Sequence, residues 1–149
     1  MNKIAILCAF ALVCSFAWAS EKESKEITVY KSPYCGCCKK WISYLKENGF
    51  SVNEKRVNNV AIYKKKYEVS PQLSSCHTAV VEGYIIEGHV PIDDINKLLR
   101  EKPDIRGLTV PGMPVGSPGM EQGNKKDTFS VLAIKKDGST FTYSTYNEK

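Results

Sequence analysis

The 149-residue chain has no apolar run long enough to cross a membrane. Its longest, Ile4 to Phe16, falls well short of the ~20 residues a span requires. Charge of one sign is also lacking: 21 Lys and Arg stand against 16 Asp and Glu, interleaved, for a net charge of +5. Without a basic stripe interleaved with aromatics, nothing marks a nucleic-acid surface. There is no internal repeat and no break in composition, which leaves room for one domain only. Histidine occurs twice, as His77 and His89, and methionine three times including the initiator. Cysteine is the exception, with six.

The N-terminus accounts for two of the six. Met1-Asn2-Lys3, the apolar run and Ala17-Trp18-Ala19 precede a polar stretch, Ser20-Glu21-Lys22-Glu23. A charged start, a short apolar run and an Ala-x-Ala site form a secretory signal peptide. Residues 1–19 are thus expected to be cleaved, leaving residues 20–149 as a single exported domain with no membrane span. A lipid anchor at Cys14 is the weaker reading, because Leu12 and Val13 are bulky where small residues are usual. Cleavage removes Cys8 and Cys14 and leaves Cys35, Cys37, Cys38 and Cys76. Exported chains normally pair cysteines at separated positions, yet three of these four crowd into Cys35-Gly36-Cys37-Cys38. Adjacent cysteines such as Cys37 and Cys38 rarely bridge each other, so a structural disulfide framework explains the pattern poorly.

Periodicity predicts a strand over 26–30, a turn at Ser32-Pro33, and a helix over 35–48 with Trp41, Tyr44 and Leu45 on one face. Gly49 stops that helix. A weaker strand follows over 51–57, then a helix from an Asn58 cap to Tyr67 and a loop over 70–75. Strands over 78–81 and 84–88 flank Glu82-Gly83, a two-residue hairpin turn. With Val81 facing Tyr84, counting outward puts Cys76 opposite His89, and directly opposed Cβ atoms lie about 4.5–5.5 Å apart. The same count points His77 to the other face, unless the strand starts later. A third helix opens at Val90-Pro91-Ile92, with Ile95, Leu98 and Leu99 buried. The order β-α-β-α-β-β-α is thioredoxin-like, an α/β plan that accounts for the chain to Arg100. Residues 103–123 are too rich in Gly and Pro for regular structure and read as a long loop. Strands over 128–134 and 139–146, around Asp137-Gly138, add a C-terminal hairpin.

A strand that delivers cysteines onto a helix N-terminus places them where unpaired backbone N–H groups favour thiolate. Cys35 and Cys38 form a Cys-x-x-Cys pair, which alone would make a thiol–disulfide oxidoreductase. Cys37 complicates that reading, since a third thiol invites scrambling; three thiolates in one turn are better explained as a nest for soft metal ions. Met113 and Met120 sit in mirrored Pro-Gly-Met units of the loop, not on a core stripe. Thioether with thiolate selects Cu(I), whereas zinc seldom takes methionine. His77 and His89 lie beside the hairpin mouth that holds Cys76, each as ligand or as a support to one. Lys64-Lys65-Lys66 reads as a solvated face, Trp41 and Tyr44 as core, and Asp93-Asp94 as charges matching the helix dipole.

Tyr-Cys-Gly-Cys-Cys at 34–38, Ser-Cys-His-Thr at 75–78, Glu-Gly-His-Val-Pro at 87–91 and Val-Pro-Gly-Met-Pro-Val-Gly-Ser-Pro-Gly-Met-Glu at 110–121 together resemble the CopG-like copper-resistance proteins. The resemblance runs from about Ile27 to Tyr143 with four motifs in order. It implies a periplasmic, thioredoxin-like protein with a cysteine-bridged cluster of several copper ions that interconverts Cu(I) and Cu(II). It also implies, as metal ligands, Cys35, Cys37, Cys38, Cys76, His77, His89, Met113 and Met120. Other periplasmic copper-handling proteins or an exporter would be its partners. A copper-dependent oxidoreductase, a disulfide enzyme using Cys35 and Cys38, and a metallochaperone without redox change are the readings carried forward.

Overall fold

The computed structural model describes residues 25–148, so the leader expected over 1–19 lies outside the described residues. Seven strands form one mixed sheet in the order β2-β1-β3-β4-β5-β6-β7. In chain order the elements are β1 (Glu26–Lys31), α1 (Gly36–Glu47), β2 (Ser51–Arg56), α2 (Ala61–Lys66), β3 (His77–Val81), β4 (Tyr84–Glu87), α3 (Ile92–Glu101), β5 (Gly107–Thr109), β6 (Phe129–Ile134) and β7 (Thr140–Tyr146). Through α3 this is the expected β-α-β-α-β-β-α order. β1 pairs in parallel with β2 and antiparallel with β3, and β3 pairs antiparallel with β4, all compatible with a thioredoxin-like plan.

Side-chain alternation explains the layers. Ile27 and Val29 of β1 are fully buried with Trp41 and Leu45 of α1 and Ile95 and Leu98 of α3. Tyr30 points to the opposite face, where Tyr63 of α2 stacks on it with ring centroids 4.0 Å apart. Tyr44, expected in the core, is only partly buried, and its hydroxyl accepts a hydrogen bond from the Ile92 amide at 2.9 Å. That bond ties the first turn of α3 to α1. Helix α2 starts later than the Asn58 cap predicts: the neighbouring Asn59 Oδ1 accepts from the Ala61 amide instead, at 3.0 Å.

Two differences matter more. The segment over 103–123 is not loop throughout, because Gly107–Thr109 forms β5, parallel to β4 and antiparallel to β6. A three-residue strand has too little pattern to read. Gly107 is there because an added Cβ would overlap the backbone of Ile85 on the neighbouring strand. β5 therefore stitches the C-terminal hairpin into the main sheet. Asp94 lies in the first turn of α3, as the helix-dipole reading expects, but it is also buried. It accepts hydrogen bonds from Ser144 Oγ at 2.8 Å and Tyr146 Oη at 2.7 Å. One carboxylate thus clamps β7 to α3.

Replacing Asp94 with Ala strips both hydroxyls of their acceptor, and such losses cost about 1–3 kcal/mol in a partly buried site. Denaturant titration is expected to show a lower midpoint, with Asp94→Asn recovering part of the loss; an unchanged midpoint in Asp94→Ala counts against the clamp.

Candidate metal centre

Strand β1 ends at Lys31, and the chain turns through Ser32 to Tyr34 before entering α1. Cys35 is the N-cap: its Sγ accepts from the Cys38 amide at 3.3 Å, and its own amide donates to the Ser32 carbonyl at 3.2 Å. Cys37 and Cys38 then lie in the first turn, Cys38 buried and Cys37 half-buried. Cys35 and Cys38 are joined as a disulfide, while Cys37 and Cys76 are free. Cys37 Sγ lies 3.5 Å from Cys35 Sγ and 3.8 Å from Cys76 Sγ, and Cys38 Sγ lies 3.5 Å from Cys76 Sγ. All four sulfurs fall within 4.8 Å of one another.

Cys76 arrives through the β3–β4 hairpin. Val81 faces Tyr84 and Thr78 faces Glu87, the expected register, and continuing it sets Cys76 across from His89. Cys76 Sγ lies 3.1 Å from His89 Nε2 and 3.2 Å from His77 Nδ1. These three donors also fall within 4.8 Å of one another. His77 turns toward Cys76, the exception that a later strand start allows. The strand begins at His77 rather than Cys76, opposite Lys31, so His77 shares the face of Ala79 and Val81. It is fully buried between the rings of Trp41 and His89, with centroids at 4.4 and 5.0 Å. Its Nε2 makes no hydrogen bond.

The loop after β5 closes over this set. The Gly112 amide donates to the Ser74 carbonyl at 3.0 Å, and Ser75 Oγ donates to the Gly112 carbonyl. Gly119 rests on the start of α1, where a Cβ would lie 2.9 Å from the Trp41 amide nitrogen and 3.0 Å from the Cys37 carbonyl. The Pro118 carbonyl accepts from His89 Nδ1 at 2.7 Å. A carbonyl cannot donate, so the imidazole proton sits on Nδ1 and the Nε2 lone pair faces Cys76. Both Pro-Gly-Met units are therefore anchored at the centre by their backbones. Met113 itself remains 51% exposed and Met120 half-buried. Six of the eight predicted residues converge through side-chain atoms; for the two methionines, the structure fixes the glycine before each.

A family model described as "Protein of unknown function, DUF411" matches residues 73–120. Two solved structures are similar over nearly all the described chain. "Copper resistance protein copG- Form 2" is 42% identical with a TM-score of 0.81, covering 84% of this chain and 100% of that one. "Copper resistance protein copG- Form 1" is 42% identical with a TM-score of 0.80, covering 85% and 100%. The chain belongs to the CopG family. No curated protein matches it.

In this CopG-family chain burial favours the neutral forms of Cys76, His77 and His89. Burial, reinforced by the neighbouring Cys37, pushes the Cys76 thiol up to about 12. Burial, with His89 nearby, holds His77 well below the ordinary imidazole value. Burial also lowers His89, against the opposing pull of the Pro118 carbonyl. Neutral imidazoles carry free lone pairs, and a metal at Cys76 must displace a proton. The four clustered sulfurs, with two imidazole nitrogens against Cys76, fit a soft metal ion better than a hydrogen-bonded core.

Sequence reasoning missed what holds Cys76 in place. Glu87 is fully buried and accepts from the Ser75 amide and from Thr78 Oγ1, each at 2.6 Å. Lys64 pairs with it, so this lysine is no solvated residue, unlike the expectation for Lys64-Lys65-Lys66. Lys31 is likewise fully buried, paired with Glu54 at 3.3 Å.

The lowered imidazoles set a pH dependence. Below about 6.5 the unfolded chain takes up protons at His77 and His89 that the folded chain refuses, so stability falls with pH. Glu87, whose carboxyl is raised by burial, works the other way over its own window. The metal-free protein is expected to lose denaturant resistance between about pH 7 and 5, with a shallower slope in His89→Gln. An equal slope in that variant would mean that His89 does not contribute.

Proposed function

We propose that this chain is a periplasmic copper protein of a resistance system. Its Cys35, Cys37, Cys38 and Cys76 thiolates would bridge several copper ions, and His77, His89, Met113 and Met120 would complete the site. Thiolate and thioether favour Cu(I), while imidazole lets the same site tolerate Cu(II). The site can then hold copper in either valence. One observation carries this reading: four sulfurs and two neutral imidazoles share a few ångströms around Cys76. The leader expected over 1–19 and the likeness to two copper resistance proteins support the compartment and the resistance role.

A second reading is favoured by the Cys35–Cys38 disulfide at a helix N-terminus, the arrangement of a thiol–disulfide oxidoreductase. Against it stands Cys37, 3.5 Å from Cys35 and free to compete for the bond. A metallochaperone differs from the first reading only in lacking valence change, and voltammetry of the loaded protein separates those two.

The reduced chain, loaded anaerobically with Cu(I) and desalted, is expected to hold more than one copper by metal analysis. Cys37→Ser should lower that content by roughly half, since a bridging sulfur serves two ions. Less than one copper per chain, together with insulin-reducing activity that survives Cys37→Ser, identifies the disulfide enzyme instead.

A further inference from the structure

The disulfide divides the centre in two. Cys35 and Cys38 are spent in one bond, and Cys76 then links the donors left free, with Cys37 on one side of it and His77 and His89 on the other. The spacings around Cys76 are close to what one ion needs. Two thiolates on a tetrahedral ion, with metal–sulfur bonds of about 2.3 Å as in zinc sites, stand about 3.8 Å apart. Cys37 and Cys76 are 3.8 Å apart. A thiolate and an imidazole on the same ion stand about 3.6 Å apart, and Cys76 lies 3.1 and 3.2 Å from the two histidine nitrogens. Small side-chain rotations close that gap. The other pairings are less suited to oxidation: Cys37–Cys38 is strained by adjacency, and Cys37 and Cys76 are held on separate elements.

We propose that Cys35 and Cys38 are the electron source of the centre, and that their oxidised state keeps a one-ion site made of Cys37, Cys76, His77 and His89. The proposal rests on the copper reading above. The oxidant is the cupric ion. Two Cu(II) each accept one electron and become two Cu(I); the Cys35 and Cys38 thiols lose two electrons, form their S–S bond and release two protons to solvent. Cys35 is half-exposed and reachable by incoming copper, while Cys38 is buried behind it. Its amide donates to Cys35 Sγ at 3.3 Å and holds that sulfur at the helix start. Closing the bond removes two of the four thiolates, so the oxidised chain must give up the cluster and retain a single ion. The state of this pair therefore sets both the valence and the amount of copper held.

The test uses the isolated full chain, reduced, metal-free and anaerobic, mixed with two equivalents of cupric sulfate. A chromogenic Cu(I) chelator is expected to report about two Cu(I) per chain, with two thiols lost and the new disulfide mapped by peptide mass to Cys35–Cys38. After desalting without chelator, the oxidised chain should keep one copper, and Cys76→Ser should keep none. The Cys35→Ser, Cys38→Ser double variant, checked for folding by circular dichroism, should lose at least tenfold in Cu(I) yield. A disulfide mapped to Cys37 or Cys76, or a double variant as reducing as the parent, overturns the proposal. A control supplies Cu(I) directly. If the reduced chain binds it but does not reduce Cu(II), this inference alone falls; if it binds no Cu(I), the copper reading falls and this one with it.

Discussion

The register of the β3–β4 hairpin is the constraint on which the centre depends. Glu82 and Gly83 both adopt positive φ, 45° and 84°, the turn whose twist matches the flanking strands. Once Val81 faces Tyr84, every later pair is determined, and Cys76 meets His89 five residues beyond the turn on one side and five on the other. A slip of one residue would send His77 to the face of Thr78 and separate Cys76 from His89. The antiparallel pairing of β3 with β1 does the rest. It sets His77 opposite Lys31, four residues before Cys35, so both cysteine-bearing segments leave the sheet at the same end.

Around that hairpin the rest of the fold acts as a set of clamps. Glu87 holds Ser75, and through it Cys76, from the strand next door. The loop after β5 holds His89 through Pro118 and leans on α1 through Gly119, where the absence of a Cβ permits the approach. β5 gives that loop a fixed origin, and its backbone can enter beside Ile85 only because residue 107 is glycine. Positions remote in sequence are thereby brought within hydrogen-bond range of a single sulfur, Cys76.

The parts legible in the sequence were those with local, periodic or motif-like signals. Trp41 and Leu45 announced the buried face of α1, Glu82-Gly83 the hairpin, and Cys-Gly-Cys-Cys the donor nest. What escaped notice depends on partners far along the chain. Lys64 looks like its neighbours Lys65 and Lys66, and only the buried Glu87 across the sheet distinguishes it. Asp94 is an ordinary first-turn acid until Ser144 and Tyr146 arrive from β7. β5 has three residues, too few for a period, and owes its existence to edges offered by β4 and β6. The face of His77 turned on a single residue of strand boundary, the least legible feature of any element.

Gathering six donor groups in one partly buried place would be ruinous if they were charged, since thiolates this close repel and their desolvation goes uncompensated. The fold avoids this at the three donors around Cys76. Cys76 retains its proton because burial and the nearby Cys37 oppose its ionisation, and both imidazoles stay uncharged because burial opposes their protonation. In the oxidised state two further sulfurs are neutralised as the Cys35–Cys38 bond. A cation entering such a site brings the positive charge that makes thiolate favourable, so deprotonation and binding become one event. The same burial that makes the empty centre tolerable thus makes it selective for ligands that carry their own compensating charge. It also explains why the charged groups nearby, Lys64 with Glu87 and Lys31 with Glu54, are already paired with each other.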